Sequence, residues 1–338
     1  MAPRAFVCGV ADTALTTAER EFLRDADPWG IILFERNCRD DVQVRRLVDD
    51  FRACVGRADA PVLIDQEGGR VQRLCPPVWA RYPAAQRIGR LYPRDRDRAL
   101  DAARSTARLI AADLHALGIT VDCAPCLDLP QPDASEVIGD RAYGTDPGMV
   151  AELGRAAAEG FLQGGVLPII KHVPGHGRAR VDSHKALPRL ETPREDLQRH
   201  DFAPFAELHD LPIAMTAHVV YCAYDADHPA TLSKDVIEHV IRREIGFQGL
   251  LITDDLSMKA LTGSLRQRAE LALQAGCDIA LHCNGRLDEM EQVADASPAL
   301  SGPSAARVDA ALARLRPPEP FDVDEARGRL DALLAESV

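Results

Sequence analysis

Eight short apolar runs punctuate the chain: AFVCGV (5–10), GIILF (30–34), PVLID (61–65), ITVDCAP (119–125), VLPIIKH (166–172), PIAMTAH (212–218), GLLITDD (249–255) and CDIALHC (277–283). Each has the length and β-branched content of a strand buried on both faces. The segments between them repeat apolar residues at helical spacing, as in DVQVRRLVDDFRACV (41–55), MVAELGRAAAEGFLQGG (149–165) and SLRQRAELALQAG (264–276). The last two end in Gly, as helix C-termini often do. Eight strands alternating with helices predict an α/β fold, a single (β/α)8 TIM-type barrel. A doubly wound sheet is the rival, but about five to seven strands are expected of it.

The chain's 338 residues exceed the ~250 of a bare barrel. Part of the excess is helix-like sequence at 303–316 and 323–336, read as extra C-terminal helices rather than a second domain. The expected organisation is one domain over 1–338, with a core at about 5–300 and a helical extension at about 301–338. Neither an internal repeat nor a Pro/Ser-rich linker interrupts it.

A net charge of −12 argues against a nucleic-acid binder and against docking on anionic membrane. No stretch approaches the ~20 apolar residues of a membrane span, and the N-terminus carries no long apolar leader segment. Nine scattered cysteines fit free thiols in a reducing compartment, so the chain is expected to be cytoplasmic.

Polar residues collect where the apolar runs end. Asp65, Lys171, His172, His218, Asp254, Asp255 and Asn284 all lie at or just past those ends. In a barrel the ends form one face, the face that carries active sites, so these residues are expected to converge on one pocket. DQEGGRVQRL (65–74) adds two glycines for a tight turn, with Arg70 and Arg73 beyond it. VIGDRAYG (137–144) places Asp140, Arg141 and Tyr143 in a loop, where Arg141 either binds a polar ligand or braces the loop. CAPC (123–126) has half-site spacing for zinc or redox chemistry, but no second pair accompanies it, and two structural thiols are the plainer reading.

KHVPGHGRARVDSHKALP (171–188) holds three histidines. His172 and His176 have the spacing of a zinc-binding helix, but Pro174, Gly175 and Gly177 prevent that helix, and no metal is expected. In DSH, Asp182 sits two positions from His184, where a carboxylate can orient an imidazole for proton transfer. LLITDDLSM (250–258) ends the seventh run in two carboxylates. Successive strand residues point to opposite sides, so one of them is expected to face the pocket and the other to brace the rim.

Taken in order, DQEGGRVQRL, VIGDRAYG, KHVPGHGRARVDSHK, AHV and TDDLSM resemble the family 3 glycoside hydrolases over roughly residues 5–295. Among these they look like the single-domain bacterial β-N-acetylglucosaminidases of peptidoglycan recycling. The resemblance implies Asp254 as catalytic nucleophile and His184 as general acid/base, paired with Asp182. It implies that Asp65, Arg73, Arg141, Lys171 and His172 hold the N-acetylglucosamine ring, and that the loop carrying the dyad is mobile. Val173 and Thr216 stand where relatives usually carry Phe and Pro, which affects pocket shape and removes no reactive group.

The implied activity is a retaining cleavage of terminal N-acetylglucosamine from saccharide or muropeptide substrates, with no cofactor; a monomer is the default expectation. His in place of a second carboxylate would not repel an incoming anion, which makes a phosphorylase the nearest rival. A β-glucosidase of the same family and a non-catalytic sugar sensor are further alternatives. The sensor reading predicts loss of Asp254 or His184, and both are present.

Overall fold

The computed structural model describes residues 2–335. All eight apolar runs form strands: β1 (Arg4–Gly9), β2 (Pro28–Leu33), β3 (Val62–Ile64), β4 (Val121–Asp122), β5 (Leu167–Val173), β6 (Ile213–Thr216), β7 (Leu250–Ile252) and β8 (Ala280–His282). They make one parallel sheet in the order β7-β6-β5-β4-β3-β2-β1-β8. A parallel bridge between Ile252 and Ile279 joins its two ends, so the sheet closes on itself. The fold is a TIM-type barrel, and the doubly wound alternative is excluded.

Strand parity sorts the core into two shells. Val7, Leu63, Ile169, Ile213, Met215, Leu250, Ile252 and Leu281 pack together inside the barrel. Phe6, Cys8, Ile64, Ile170, Ala214, Leu251 and Ala280 face outward and pack in the shell that also contains the helices' apolar residues. Helix α1 is Thr17–Ala26, and α2 spans Asp41–Val55, as its periodicity predicts. The Asp40 carboxylate caps the start of α2 by accepting from the Gln43 N–H, and Gly56 ends it with φ 66°. Val44, Leu47, Val48 and Phe51 form its buried stripe.

The longer helices α3 (Arg96–Ala116) and α4 (Pro147–Gln163) follow β3 and precede β5. Helix α5 (Leu265–Ala275) starts at a Ser264 capping box and stops at Gly276, with φ 117°. Beyond β8 come α6 (Leu287–Ala296), α7 (Gly302–Leu312) and α8 (Val323–Ala335). The last lies across α3: Arg98 donates to the carbonyls of Ala332 and Leu333, and Arg329 pairs with Asp101 at 2.5 Å.

Two excursions shape the face above the strand ends. After β3 the chain makes a small antiparallel hairpin, Gln66–Gly68 with Val71–Gln72. Its turn needs Gly68, at φ 90°, where a Cβ would lie 2.4 Å from the Pro83 carbonyl oxygen. After β5 a loop over 174–188 runs without regular structure until Arg189–Leu190 pairs with Val220–Tyr221.

Candidate active site

The same parity that fills the barrel builds its mouth. Asp65 lies two residues past Leu63, Lys171 two past Ile169, Asp254 two past Ile252, and Cys283 two past Leu281. Each inward apolar side chain is therefore succeeded by a side chain one layer higher. Asp65, Arg70, Arg73, Arg141, Lys171, His172, His184, Asp254, Asp255 and Cys283, among others, line one cavity of about 220 Å³. The lining includes Asp254, His184 and the five residues that the resemblance assigns to the sugar ring, whereas Asp182 reaches it through His184.

The cavity floor is an ion network. The Lys171 ammonium is 2.9 Å from Asp65 and 2.6 Å from Glu67. The hairpin returns Arg73 to Asp65 at 3.1 Å. Arg141 grips Glu67 with two parallel bonds of 2.7 and 2.9 Å, the planar fork pairing for which guanidinium is suited. An unpaired buried ammonium would cost several kcal/mol. Here burial pushes the Lys171 ammonium down, but the two carboxylates more than reverse it and hold the ion charged. Burial likewise raises the carboxyls, yet Lys171 and Arg73 hold Asp65 well below its usual range. Arg141 and Lys171 bring Glu67 down to about 2.

Glu67 escaped the sequence reading although it stands in the DQEGG motif. Alternation from Asp65 points to it, but its partners lie 74 and 104 positions away. Asp128 escaped too. It is fully buried and gathers the other histidine strand end: Oδ2 takes His172 Nδ1 at 2.6 Å, and Oδ1 takes the His176 N–H at 2.6 Å. With Nδ1 so engaged, His172 is left with Nε2 for the cavity. The two rings stand 5.8 Å apart.

Both carboxylates that follow the seventh strand line the cavity, and it is their bonding that differs. Asp255 is tied down, accepting from the Ser257 N–H and hydroxyl and from the Cys283 N–H. Among the described residues Asp254 accepts only the Asp255 N–H, at 2.8 Å, which leaves one carboxylate oxygen open. Burial raises its carboxyl, but the His172 and His218 imidazoles, that N–H and Lys171 together hold it below the usual value.

His184 is the lining residue contributed by the loop. Its Nδ1 is 2.9 Å from Asp182 Oδ1, which also accepts the His184 N–H at 2.9 Å. The second ring nitrogen is therefore the one left to meet a ligand. Burial raises the Asp182 carboxyl, and its bonds to His184 outweigh that and lower it.

Two expectations need correction. His218 does not reach the cavity lining: it is fully buried, with Nδ1 2.7 Å from the Thr231 hydroxyl and Nε2 3.0 Å from the Asp255 carbonyl, which it supports from behind. Asn284 turns away as well, its amide bonded to Glu289. Both lie at strand ends, but their side chains are spent on Thr231, Asp255 and Glu289 and lie outside the cavity lining.

Cys123 and Cys126 are buried free thiols. Cys126 Sγ donates to Asp128 at 3.3 Å. One donor atom each from Cys126, Asp128 and His172 lies within 4.8 Å of the others, the one such three-donor group among the described residues. Thiol, carboxylate and imidazole already satisfy one another there by hydrogen bonding.

Comparison with known proteins identifies the family. Residues 7–316 match the N-terminal domain of glycosyl hydrolase family 3. The chain belongs to that family. A β-hexosaminidase of Aromatoleum aromaticum is 37% identical over 321 residues, covering 93% of this chain and 89% of its own. NagZ of Neisseria gonorrhoeae, solved with N-trifluoroacetyl-D-glucosamine, is 30% identical with a TM-score of 0.88, over 100% of this chain and 99% of that one. A family 3 β-N-acetylglucosaminidase of Paenibacillus sp. str. FPU-7 is 32% identical with a TM-score of 0.79, over 98% of this chain and 61% of that one. This family 3 chain is a glycoside hydrolase. No described helix is long and apolar enough to cross a membrane.

Proposed function

We propose that the protein is a retaining exo-β-N-acetylglucosaminidase that removes terminal N-acetylglucosamine from peptidoglycan fragments of the N-acetylglucosaminyl-1,6-anhydromuramyl peptide type. One observation carries the reading: an open carboxylate, Asp254, and an imidazole with one free nitrogen, His184, line the same small cavity beside a charged floor. Asp65, Arg73, Lys171 and His172 supply donors and acceptors for ring hydroxyls, and Arg141 holds Glu67 beneath them. The N-acetylglucosamine specificity is supported by the named relatives, and the cytoplasmic setting by nine unpaired thiols. The chain acts as one barrel domain, as a monomer, with its C-terminal helices as an extension.

The reaction is a double displacement. An Asp254 oxygen attacks C1 while His184 Nε2–H protonates the glycosidic oxygen, breaking the C1–O bond and leaving a glycosyl ester on Asp254. Water then attacks C1 as His184 Nε2 takes its proton, and the Asp254 carboxylate is released. Positioned proton transfer of this kind contributes about 10²–10⁴ in rate. The lowered Asp254 carboxyl suits a group that must be ionised before attack.

The test is cleavage of an N-acetylglucosaminyl-anhydromuramyl peptide followed by proton NMR. The β-anomer of free N-acetylglucosamine is expected first. Initial α-anomer refutes retention, and dominance of a sugar 1-phosphate in phosphate buffer makes the protein a phosphorylase. Asp254→Asn should abolish turnover and spare sugar binding; full activity removes the nucleophile.

A further inference from the structure

The dyad bond between Asp182 and His184 is internal to one loop, so it orients the imidazole without fixing where the loop sits. Both side chains remain open to solvent, at 64% for His184 and 26% for Asp182. Something else must dock this segment on the barrel. The residue between them does the opposite of its neighbours: Ser183 is only 3% exposed. Its Oγ lies 3.1 Å from His176 Nε2, and its carbonyl accepts the Ala260 N–H at 3.1 Å.

These two contacts reach different walls. Ala260 belongs to the loop after β7, which also carries Asp254. His176 is rooted beside β5: it is buried, its N–H is held by Asp128 at 2.6 Å, and its ring abuts His172. A serine hydroxyl both donates and accepts, so the bond to His176 survives either neutral tautomer of the ring. Among the described residues the buried His176 Nδ1 has no partner, which leaves Ser183 as the ring's one hydrogen-bond attachment there. Burial pushes His176 down to about 4, keeping it neutral across ordinary pH.

We propose that His176 and Ser183 form a latch that seats the Asp182–His184 dyad over the cavity, making both of them positioning residues for proton transfer. The inference rests on His184 being the acid/base. When the latch bond is broken the dyad stays intact but spends less time over the glycosidic oxygen. Binding of the sugar ring, which uses the barrel floor, is spared.

The experiment measures kcat/KM for aryl N-acetylglucosaminides, from a dinitrophenyl leaving group, which departs without protonation, to phenyl, which needs it. Ser183→Ala should lower phenyl glycoside turnover roughly tenfold, the effect of one buried hydrogen bond, and change the dinitrophenyl substrate little. His176→Phe, which keeps a ring without nitrogen, should give the same selectivity. The double variant should lose no more than either single one, since both remove one contact. Ser183→Thr, which retains the hydroxyl, should recover part of the loss. An equal decline for all leaving groups, or no decline, overturns the latch. If Ser183→Ala fails to fold by circular dichroism, His176→Phe decides on the same criterion. His184→Ala is the separate control: absence of leaving-group dependence there refutes the acid/base assignment itself.

Discussion

Replacing Glu67 by Gln removes one negative charge from a buried network and changes almost nothing in shape. Arg141 then keeps only its 3.2 Å bond to the Val137 carbonyl besides the new amide, and Lys171 keeps Asp65. Glu67 and Arg141 are 7% and 11% exposed, so solvent screens the loss very little. Breaking a buried ion pair from one side costs about 3–5 kcal/mol, a large part of the ~5–15 kcal/mol that holds a typical domain together. The lowered Glu67 carboxyl leads to a similar figure. A carboxyl brought from 4.5 to about 2 contributes, at about 1.4 kcal/mol per pH unit of separation, about 3 kcal/mol.

Because the folded value is depressed, this contribution is complete above the unfolded value and disappears as pH falls toward 2. Urea unfolding of wild type and Glu67→Gln should therefore differ by about 3 kcal/mol at neutral pH and converge in acid. The KM for a nitrophenyl N-acetylglucosaminide should rise as Lys171 loses half its anchorage. A double variant with Arg141→Gln should cost less than the sum of the singles. A neutral-pH loss under about 1 kcal/mol would refute the claim that this network is held by its charges.

Asp128→Asn keeps an acceptor but presents an amide to His172 Nδ1–H; it should raise KM roughly ten- to hundredfold, read on the same nitrophenyl substrate. Gly177→Ala would bring a Cβ to 2.1 Å from the Leu129 carbonyl oxygen, so thermal unfolding should shift down by several degrees. Prolonged dialysis against a chelator should leave turnover unchanged, since Cys126 and His172 already bond to Asp128; loss restored by zinc would instead place an ion among those three.

The barrel was legible because its signal is local. Eight apolar runs of strand length and the helical periodicities between them report burial directly, and α2 agrees with its sequence pattern to the residue. The strand ends as the place for chemistry followed from the same pattern. The residues alone left Asp254 and Asp255 undivided, with only the family resemblance favouring Asp254; the structure separates them by their bonds, leaving an Asp254 oxygen open and tying Asp255 to Ser257 and Cys283. His218 and Asn284 share the strand-end signal but bond outside the cavity lining, because position along a strand does not by itself state what a side chain meets.

Glu67 and Asp128 lay outside the sequence reading for a different reason. An isolated carboxylate in a sequence carries no mark of burial, and what makes these two matter is the company of Arg141, Lys171, His172 and His176, brought from 44 to 104 positions away. The sequence by itself determined how many strands there are, where they end and which reactive groups wait there. Tertiary structure alone decided which charges neutralise which, since Coulomb and hydrogen-bond energies depend on separations that only the closed barrel sets.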